Sequence, residues 1–226
     1  MISLLKPKEE EVNIEKLEIM FKNVLDYFTK AYIKMTENMP FQYQREDDIN
    51  DMLYIVLQEI LEDDDSFFTL NPQDYDPSQR PIYGRASQVD FSISWTTRAR
   101  MKKYKFYIEC KLLNCNGKNR AYIQNGIHRY TTNFYAENLP FAAMIGYIQR
   151  GEIPTIVSDL NDKLDNEVTR PILNIESYWS SVHPRNDGNQ DICLYHLFFD
   201  FRDCQENPHA IRACPGNDML LKSPLP

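Results

Sequence analysis

The stretch VDFSISWTTRARMKKYKFYIECKLLN, residues 89–114, decides the fold because it predicts a β-hairpin in the middle of the chain. Two runs rich in β-branched and aromatic residues flank a basic turn, as expected for two paired strands. Both runs also carry ionisable residues: Asp90 lies in the first, and Glu109 and Lys111 lie in the second. Acidic residues are depleted in strands, so these three positions indicate more than a simple hairpin.

The alternation of side chains along a strand predicts which residues share a face. The predicted apolar face carries Val89, Phe91, Ile93 and Trp95 from the first strand and Phe106, Ile108, Cys110 and Leu112 from the second. The opposite face carries Asp90, Ser92, Ser94, Tyr107, Glu109 and Lys111. If the apolar faces pack on one core, Asp90 and Glu109 project to the same side, with Lys111 one pleat beyond Glu109.

Two carboxylates on neighbouring strands are suited to phosphodiester hydrolysis. Together with a backbone carbonyl they supply the oxygen ligands that Mg²⁺ prefers. A bound Mg²⁺ polarises a phosphate and lowers the pKa of a bound water. An amine such as that of Lys111 orients or deprotonates that water and offsets charge in the transition state. The alternative is a solvated hairpin face, on which Asp, Glu and Lys form weak surface pairs.

A third carboxylate is expected from a helix that precedes the hairpin. Apolar residues at helical spacing predict a helix from about Arg45 to Glu62, with Ile49 on its inner face. At about 100° per residue, Glu46 lies about 60° from Ile49, at the flank of that face. From there its carboxylate reaches the edge of a site on the sheet. The alternative is a first-turn glutamate that only stabilises the helix dipole.

The remaining elements predict an α/β fold with a mixed sheet. The predicted elements are, in order, a helix over residues 14–35, the helix over 45–62, a strand at 66–70, a loop over 71–88, the two hairpin strands, a helix over 121–138 interrupted at Gly126, a strand over 141–151, a helix over 155–168 and a strand over 191–202. The length favours one domain, so residues 1–40 are predicted to be an N-terminal helical extension and residues 41–226 one α/β domain.

Composition limits the kinds of partner. The formal net charge of -8 excludes a protein that binds nucleic acid through its overall field, because non-specific phosphate binding relies on Lys and Arg. Such contact must be local, metal-assisted or supplied by a partner. No long apolar run and no signal-peptide core occur, so a cytoplasmic protein without membrane contact is expected. The five cysteines form no CxxC pair, which argues against a disulfide framework and a thiolate zinc site.

The segments VDFSIS and YIECKLL resemble the motif of the PD-(D/E)xK, or restriction endonuclease-like, nucleases, as does their order after a helix beginning near Glu46 and before a helix from Tyr122. The resemblance implies an α-β-β-β-α-β core and Mg²⁺-dependent cleavage of DNA, less often of RNA, with Mn²⁺ as a substitute metal. Val89 stands where the family usually has a proline.

The resemblance also implies roles for individual residues. Asp90 matches the family's aspartate, Glu109 its second acid, Lys111 its lysine, and Glu46 the helix glutamate that some members use. Asp90, Glu109, Glu46 and the backbone carbonyl of Cys110 would then hold the metal, and Lys111 would act on the water. The resemblance covers about residues 45–202, and its later part is similar to small bacterial restriction-like proteins, which implies bacterial restriction or anti-phage defence.

Nucleic-acid contacts are predicted on both sides of the second hairpin strand. The basic turn is the densest positive cluster of the chain and is suited to backbone phosphates; it contains Arg98, Arg100, Lys102, Lys103 and Lys105. Lys118 and Arg120 lead into the next helix, whose N-terminus attracts phosphate. Gln124 and His128 follow at helical spacing on that helix. The alternative for the turn is a solvated hairpin tip, and His128, His183 and His196 are expected to be structural.

These patterns predict an Mg²⁺-dependent endonuclease that acts on DNA, with a protein partner or a homodimer supplying target choice. Two alternatives remain open. The first is a non-catalytic scaffold or regulatory subunit of a nucleic-acid-processing complex that retains the fold, which the acidic net charge favours. The second is an RNA-directed nuclease toxin of the same fold.

Overall fold

The computed structural model describes residues 13–38, 45–64, 68–75, 88–96, 103–114, 119–136, 139–164, 168–169, 178–186 and 190–202. Its helices are α1 (Ile14–Asn38), α2 (Glu46–Asp63), α3 (Asn119–Tyr122), α4 (His128–Thr131) and α5 (Ile153–Asn161), and a π-helical segment, Ile123–Ile127, joins α3 to α4. Its strands are β1 (Phe68–Tyr75), β2 (Gln88–Thr96), β3 (Lys103–Asn114), β4 (Phe141–Arg150), β5 (Trp179–His183) and β6 (Ile192–Asp200).

The six strands form one mixed sheet in the order β1-β2-β3-β4-β6-β5. The pairs β1–β2, β2–β3 and β5–β6 are antiparallel, whereas β3–β4 and β4–β6 are parallel. Parallel neighbours need a crossover connection, and the segment from α3 to α4 supplies one between β3 and β4. The predicted α/β fold with a mixed sheet flanked by helices is therefore confirmed.

Helices α1 and α2 cover one face of the sheet. The apolar stripe of α1 is buried in one cluster with sheet residues, and Phe21 lies 5.0 Å from Phe106 between ring centroids. Ile49 and Leu53 of α2 belong to the same cluster. Helix α1 thus shares the core of the sheet. The predicted boundary between residues 40 and 41 lies outside the described residues, so the division into an extension and a domain stays a prediction.

The other face of the sheet packs against α3, the π-helical segment, α4 and α5. The buried cluster there includes Tyr122, Ile127, Met144 and Leu160. The predicted interruption at Gly126 takes the form of the π-helical turn, in which Gly126 lies so close to the side chain of Met144 that a Cβ atom would overlap it. The helix ends at Thr131 rather than at residue 138, because Asn133 and Ala136 adopt left-handed backbone angles, both with φ of 56°.

Three local predictions were wrong. The loop expected from residue 71 is strand β1 as far as Tyr75; its Pro72 is tolerated because β1 is an edge strand. Strand β5 was not predicted, since its five residues, WSSVH, show no clear alternation. Helix α5 ends at Asn161, well short of residue 168.

The predicted face of Val89 was also wrong. Val89 is buried in the cluster on the α3–α5 side, whereas Phe91 is buried on the α1–α2 side. The β2–β3 pairing begins only at Phe91, opposite Ile108. Alternation between faces holds along a continuously paired strand, and β2 departs from β3 immediately before this point.

Candidate active site

The site lies where β2 and β3 separate. Beyond the pair Phe91–Ile108, the edge of β3 has no strand partner in the described pairing with β2, so its backbone N–H groups need other acceptors. Two carboxylates provide them. Asp90 Oδ2 accepts from the backbone N–H of Cys110 at 2.7 Å, and Glu46 Oε2 accepts from that of Leu112 at 3.0 Å. The open edge of β3 thereby fixes the positions of both acids.

The ammonium of Lys111 is surrounded by oxygen atoms. It lies 2.9 Å from Glu46 Oε1, 3.4 Å from Asp90 Oδ2 and 3.0 Å from Glu109 Oε1. It also donates to the carbonyl oxygen of Cys110. These four oxygen atoms belong to the same residues that the sequence predicts as metal ligands. The predicted convergence of Asp90, Glu109 and Lys111 is therefore what the structure contains, and their metal-binding and catalytic roles stay predictions.

Glu46 approaches from the first turn of α2, on the flank of the buried stripe, as the helical periodicity predicts. Its two oxygens are both used, one by the Lys111 ammonium and one by the Leu112 N–H. Glu46 is therefore directed at β3, although it also lies at the helix end where an acid is favoured by the dipole. The helix-dipole alternative does not account for these two contacts.

Glu109 is the most buried acid of the site, with 1% of its surface exposed. Its Oε1 lies 3.0 Å from both Lys111 Nζ and Arg129 Nη1, whereas its Oε2 has no hydrogen-bond partner among the described residues. Burial, followed by the negative charge of Asp90, raises the pKa of Glu109 to about 7, against the opposing effect of Lys111 and Arg129. One oxygen of this acid is thus free to bind a proton or a cation.

The electrostatics of the other two groups follow from the same crowding. Burial raises the pKa of Asp90, with Lys111 acting in the opposite direction. Burial lowers the pKa of Lys111, but the carboxylates of Glu109, Asp90 and Glu46 outweigh it, so that the pKa lies above its ordinary value. Lys111 is consequently a permanent cation, which favours charge stabilisation and water orientation over proton abstraction.

Further side chains, which belong to no predicted motif, contact these acids. Asn50 Nδ2 donates to Asp90 Oδ1 at 3.1 Å, and the hydroxyl of Tyr147 donates to Asn50 Oδ1 at 2.6 Å. On the other side of the sheet, Arg129 contacts Glu109. The sequence itself indicates Asn50, because it lies four residues after Glu46 and on the same face of the helix. No sequence pattern indicates Arg129, since its contact with Glu109 depends on how α4 packs against the sheet.

The ligand types at the site fit a magnesium ion, because three carboxylates and a carbonyl are the hard oxygen donors that this ion prefers. Within the described ranges, however, no group of three or more His, Cys, Asp or Glu residues is arranged to hold a metal ion. The ammonium of Lys111 stands among the oxygens instead. The unpartnered Glu109 Oε2 is the one buried carboxylate oxygen here that lacks a counterpart among the described residues.

The predicted nucleic-acid-binding residues are only partly within the described chain. Arg98, Arg100, Lys102 and Lys118 lie outside the described residues, and for Lys103 only the backbone, at the start of β3, is described. Arg120 and Gln124 are exposed on α3 and the π-helical segment. No hydrogen bond or ion pair within the described ranges joins either residue to the acids, so their predicted role stays a prediction.

The three histidines expected to be structural differ in their burial. His196 and His183 are buried, and both hydrogen-bond to Ser181 Oγ at 2.7 Å. The other ring nitrogen of His196 lies 2.8 Å from the hydroxyl of Tyr122. Burial lowers the pKa of His196 to about 3 and that of His183 to about 4. Both rings are therefore neutral at pH 7 and serve the core, as predicted; His128 is exposed.

No protein-family model, curated protein or solved structure matches this chain. The restriction endonuclease-like assignment therefore stays a prediction that rests on the motif and on the site geometry. Among the described helices, none is long and apolar enough to cross a membrane.

Proposed function

We propose that this chain is a metal-dependent nuclease of the PD-(D/E)xK type that hydrolyses phosphodiester bonds, with DNA as its substrate. The observation that carries the proposal is the convergence of the Glu46, Asp90 and Glu109 carboxylates with the Cys110 carbonyl around one cationic group. A cluster of like charges in a partly buried site is costly unless a cation compensates it. Such a cluster is suited to a site in which a bound metal ion can replace the lysine ammonium.

The residues take distinct roles in this proposal. Glu46, Asp90, Glu109 and the carbonyl of Cys110 would hold Mg²⁺ or Mn²⁺, which supplies Lewis-acid polarisation of the phosphate when bound. In this proposal the Lys111 ammonium is displaced by the metal ion from among the oxygens. The ammonium keeps its charge, orients the attacking water and offsets negative charge on the phosphate. Asn50 and Arg129 hold the Asp90 and Glu109 carboxylates in position.

The acidic net charge favours a dependent mode of action. A chain with a formal charge of -8 gains little affinity from the general field around DNA. We infer that a partner protein or a second copy of the chain brings the site to its target, in the cytoplasm and in a restriction or anti-phage setting. Tight binding of arbitrary duplex by the isolated chain would contradict this part of the proposal.

The test is a cleavage assay on plasmid, single-stranded DNA and RNA with Mg²⁺, Mn²⁺ or EDTA. We expect metal-dependent cleavage by the wild type and a loss of at least about 10²-fold in Lys111→Ala, the scale expected for losing one transition-state donor. Lys163→Ala is the matched control, because Lys163 is an exposed lysine just after α5 that forms an ion pair with Asp159 of that helix. Full activity of Lys111→Ala would refute the catalytic assignment, and preferential cleavage of RNA would favour the toxin alternative.

The second candidate is a non-catalytic subunit that retains the fold. One observation favours it: the Lys111 ammonium already lies among the oxygens of the acids, and within the described residues no group of three or more His, Cys, Asp or Glu residues is arranged to hold a metal ion. In that case the cluster is a structural ion network. Titration calorimetry with Mn²⁺ on the full chain discriminates between the two, because only the nuclease requires a divalent site.

A further inference from the structure

Arg129 of α4 reaches the acidic cluster from the side of the sheet opposite α2. Its Nη1 donates to Glu109 Oε1 and to the hydroxyl oxygen of Tyr135, both at 3.0 Å. Its guanidinium carbon lies 5.9 Å from the ring centroid of Phe134 and 5.6 Å from that of Tyr135. Tyr135 is anchored in turn, because its hydroxyl donates to the carbonyl of Gln88 at 2.7 Å. These contacts give the guanidinium one defined orientation.

Only part of the guanidinium is used by the protein. Of its three nitrogens, Nη1 makes both hydrogen bonds, while Nε and Nη2 donate to no group among the described residues. The side chain is 33% exposed beside the buried Glu109, and Nε and Nη2 are not among the buried unpartnered side-chain atoms of the described residues. Nε and Nη2 form the flat edge of the guanidinium, whose parallel N–H bonds match two oxygens of a phosphate.

Arg185 shows what an arginine with a purely structural role does in the same fold. It is 6% exposed, and its Nη1 and Nη2 donate to Asn133 Oδ1 and to the carbonyl oxygens of Ala136 and Leu139. These bonds hold the turn after α4. Arg129, by contrast, is held by hydrogen bonds of Nη1 alone, so that its Nε and Nη2 remain available beside the site.

We propose that Arg129 binds the phosphodiester group of the substrate: Nη1 holds Glu109 while Nε and Nη2 contact two phosphate oxygens. The inference rests on the proposed nuclease function and adds a phosphate-binding residue from α4, which no sequence motif indicated. Because the guanidinium is held in place before substrate arrives, little side-chain entropy is lost on binding. A lysine at this position keeps the charge and loses the fork.

The first experiment measures binding without cleavage. A fluorescein-labelled DNA duplex is titrated with the full-length wild type, Arg129→Ala and Arg150→Ala in EDTA over a range of salt concentrations. Arg150 is the matched control because it is an exposed arginine at the end of β4 that takes no part in the hydrogen bonds of the site. We expect weaker binding by Arg129→Ala and a slope of log K against log salt that is smaller by about one. Arg150→Ala keeps the wild-type slope.

The second experiment measures turnover with Mg²⁺. Arg129→Ala is expected to lose about 10²-fold in kcat, and millimolar guanidinium chloride is expected to restore part of it, whereas it leaves Arg150→Ala unchanged. A residue that only supported the fold would not be rescued by a small cation. If Arg129→Ala fails to fold, Arg129→Lys decides: a loss of about ten-fold in kcat with an unchanged salt slope supports the proposal, and wild-type kcat overturns it.

The two failures are distinguishable. If the wild type cleaves DNA and Arg129→Ala matches it in salt slope and kcat, the inference about Arg129 is wrong and the nuclease function stands. If the wild type cleaves no nucleic acid, the nuclease function is wrong, and the salt slope alone judges whether Arg129 binds phosphate.

Discussion

Asp90 accepts a hydrogen bond from the backbone N–H of Cys110 at 2.7 Å, in the place that a strand partner of β3 would otherwise take. The acid is thus held by the main chain at the point where β2 and β3 part. Two residues further on, the N–H of Leu112 is bound by Glu46 in the same way. An unpaired strand edge normally needs protection; here that edge is covered by carboxylates, and the same arrangement concentrates negative charge around Lys111.

The first prediction concerns the side chains that hold Asp90. Asn50→Ala removes the donor to Asp90 Oδ1 and leaves the hydroxyl of Tyr147 without its acceptor in a buried site. We expect a loss of about 1–3 kcal/mol in the free energy of unfolding and a loss of about 10–100-fold in metal-dependent activity. Urea unfolding and the plasmid assay measure the two effects.

Tyr147→Phe is the matched variant, because it removes only the hydroxyl and leaves Asn50 in contact with Asp90. It is expected to lose less activity than Asn50→Ala. Equal activity in Asn50→Ala and the wild type would show that Asp90 needs no support from α2.

The second prediction concerns the cation among the carboxylates. Lys111→Ala leaves Glu46, Asp90 and Glu109 without their shared ammonium, so the variant should be less stable than the wild type in EDTA. A divalent ion then replaces the lost charge. Thermal unfolding is expected to show a larger rise of Tm on adding Mn²⁺ for Lys111→Ala than for the wild type.

The control for this measurement is the double variant Lys111→Ala with Glu109→Gln, in which one ligand is lost and the rise should shrink. A Tm of Lys111→Ala that is indifferent to Mn²⁺ would contradict the assignment of these oxygens as metal ligands.

The third prediction concerns the titration of Glu109. Its pKa is raised by burial from 4.5 to about 7, so between these two pH values the folded protein binds more protons than the unfolded chain. The associated stability is complete below about pH 4.5 and is lost as the pH rises through about 7. In metal-free buffer, the free energy of unfolding should fall with pH in this window by up to about 1.4 kcal/mol per pH unit relative to Glu109→Gln.

Urea unfolding of both proteins from pH 5 to 8 in EDTA provides the measurement. Parallel curves for the wild type and Glu109→Gln would mean that Glu109 is already ionised in the folded protein at low pH.

The fourth prediction concerns the buried histidines and has the opposite sign. The pKa values of His183 and His196 are lowered by burial to about 4 and about 3, so the unfolded chain binds more protons than the folded protein below about pH 6.5. Stability should therefore fall as the pH decreases from 6.5 towards 4. In the Glu109→Gln background, His196→Gln is expected to flatten this fall, by up to about 1.4 kcal/mol per pH unit.

Gln124→Ala provides the control, because it removes an exposed side chain that carries no ionisable group and should leave the slope unchanged. An unaltered acid slope in His196→Gln would show that the ring of His196 is protonated in the core.

Periodicity accounts for most of what the sequence predicts correctly. Strand alternation places Glu109 and Lys111 on one face, and helical periodicity places Glu46 at the flank of α2, because both depend only on local backbone geometry. Asn50 carried the same local signal, four residues after Glu46. The face of Val89 was predicted wrongly for the converse reason, since alternation assumes that β2 stays paired with β3, and the pairing stops at Phe91.

The sequence by itself determined the mixed α/β fold, the two long N-terminal helices and the set of acids and one lysine, because these follow from the spacing of apolar and ionisable residues along the chain. Only the tertiary structure decided that β3 leaves two backbone N–H groups for Asp90 and Glu46 to bind, and that Arg129 meets Glu109 from the opposite side. The physical reason is that these contacts join elements 20 to 66 residues apart, and their geometry depends on where strands part and helices pack.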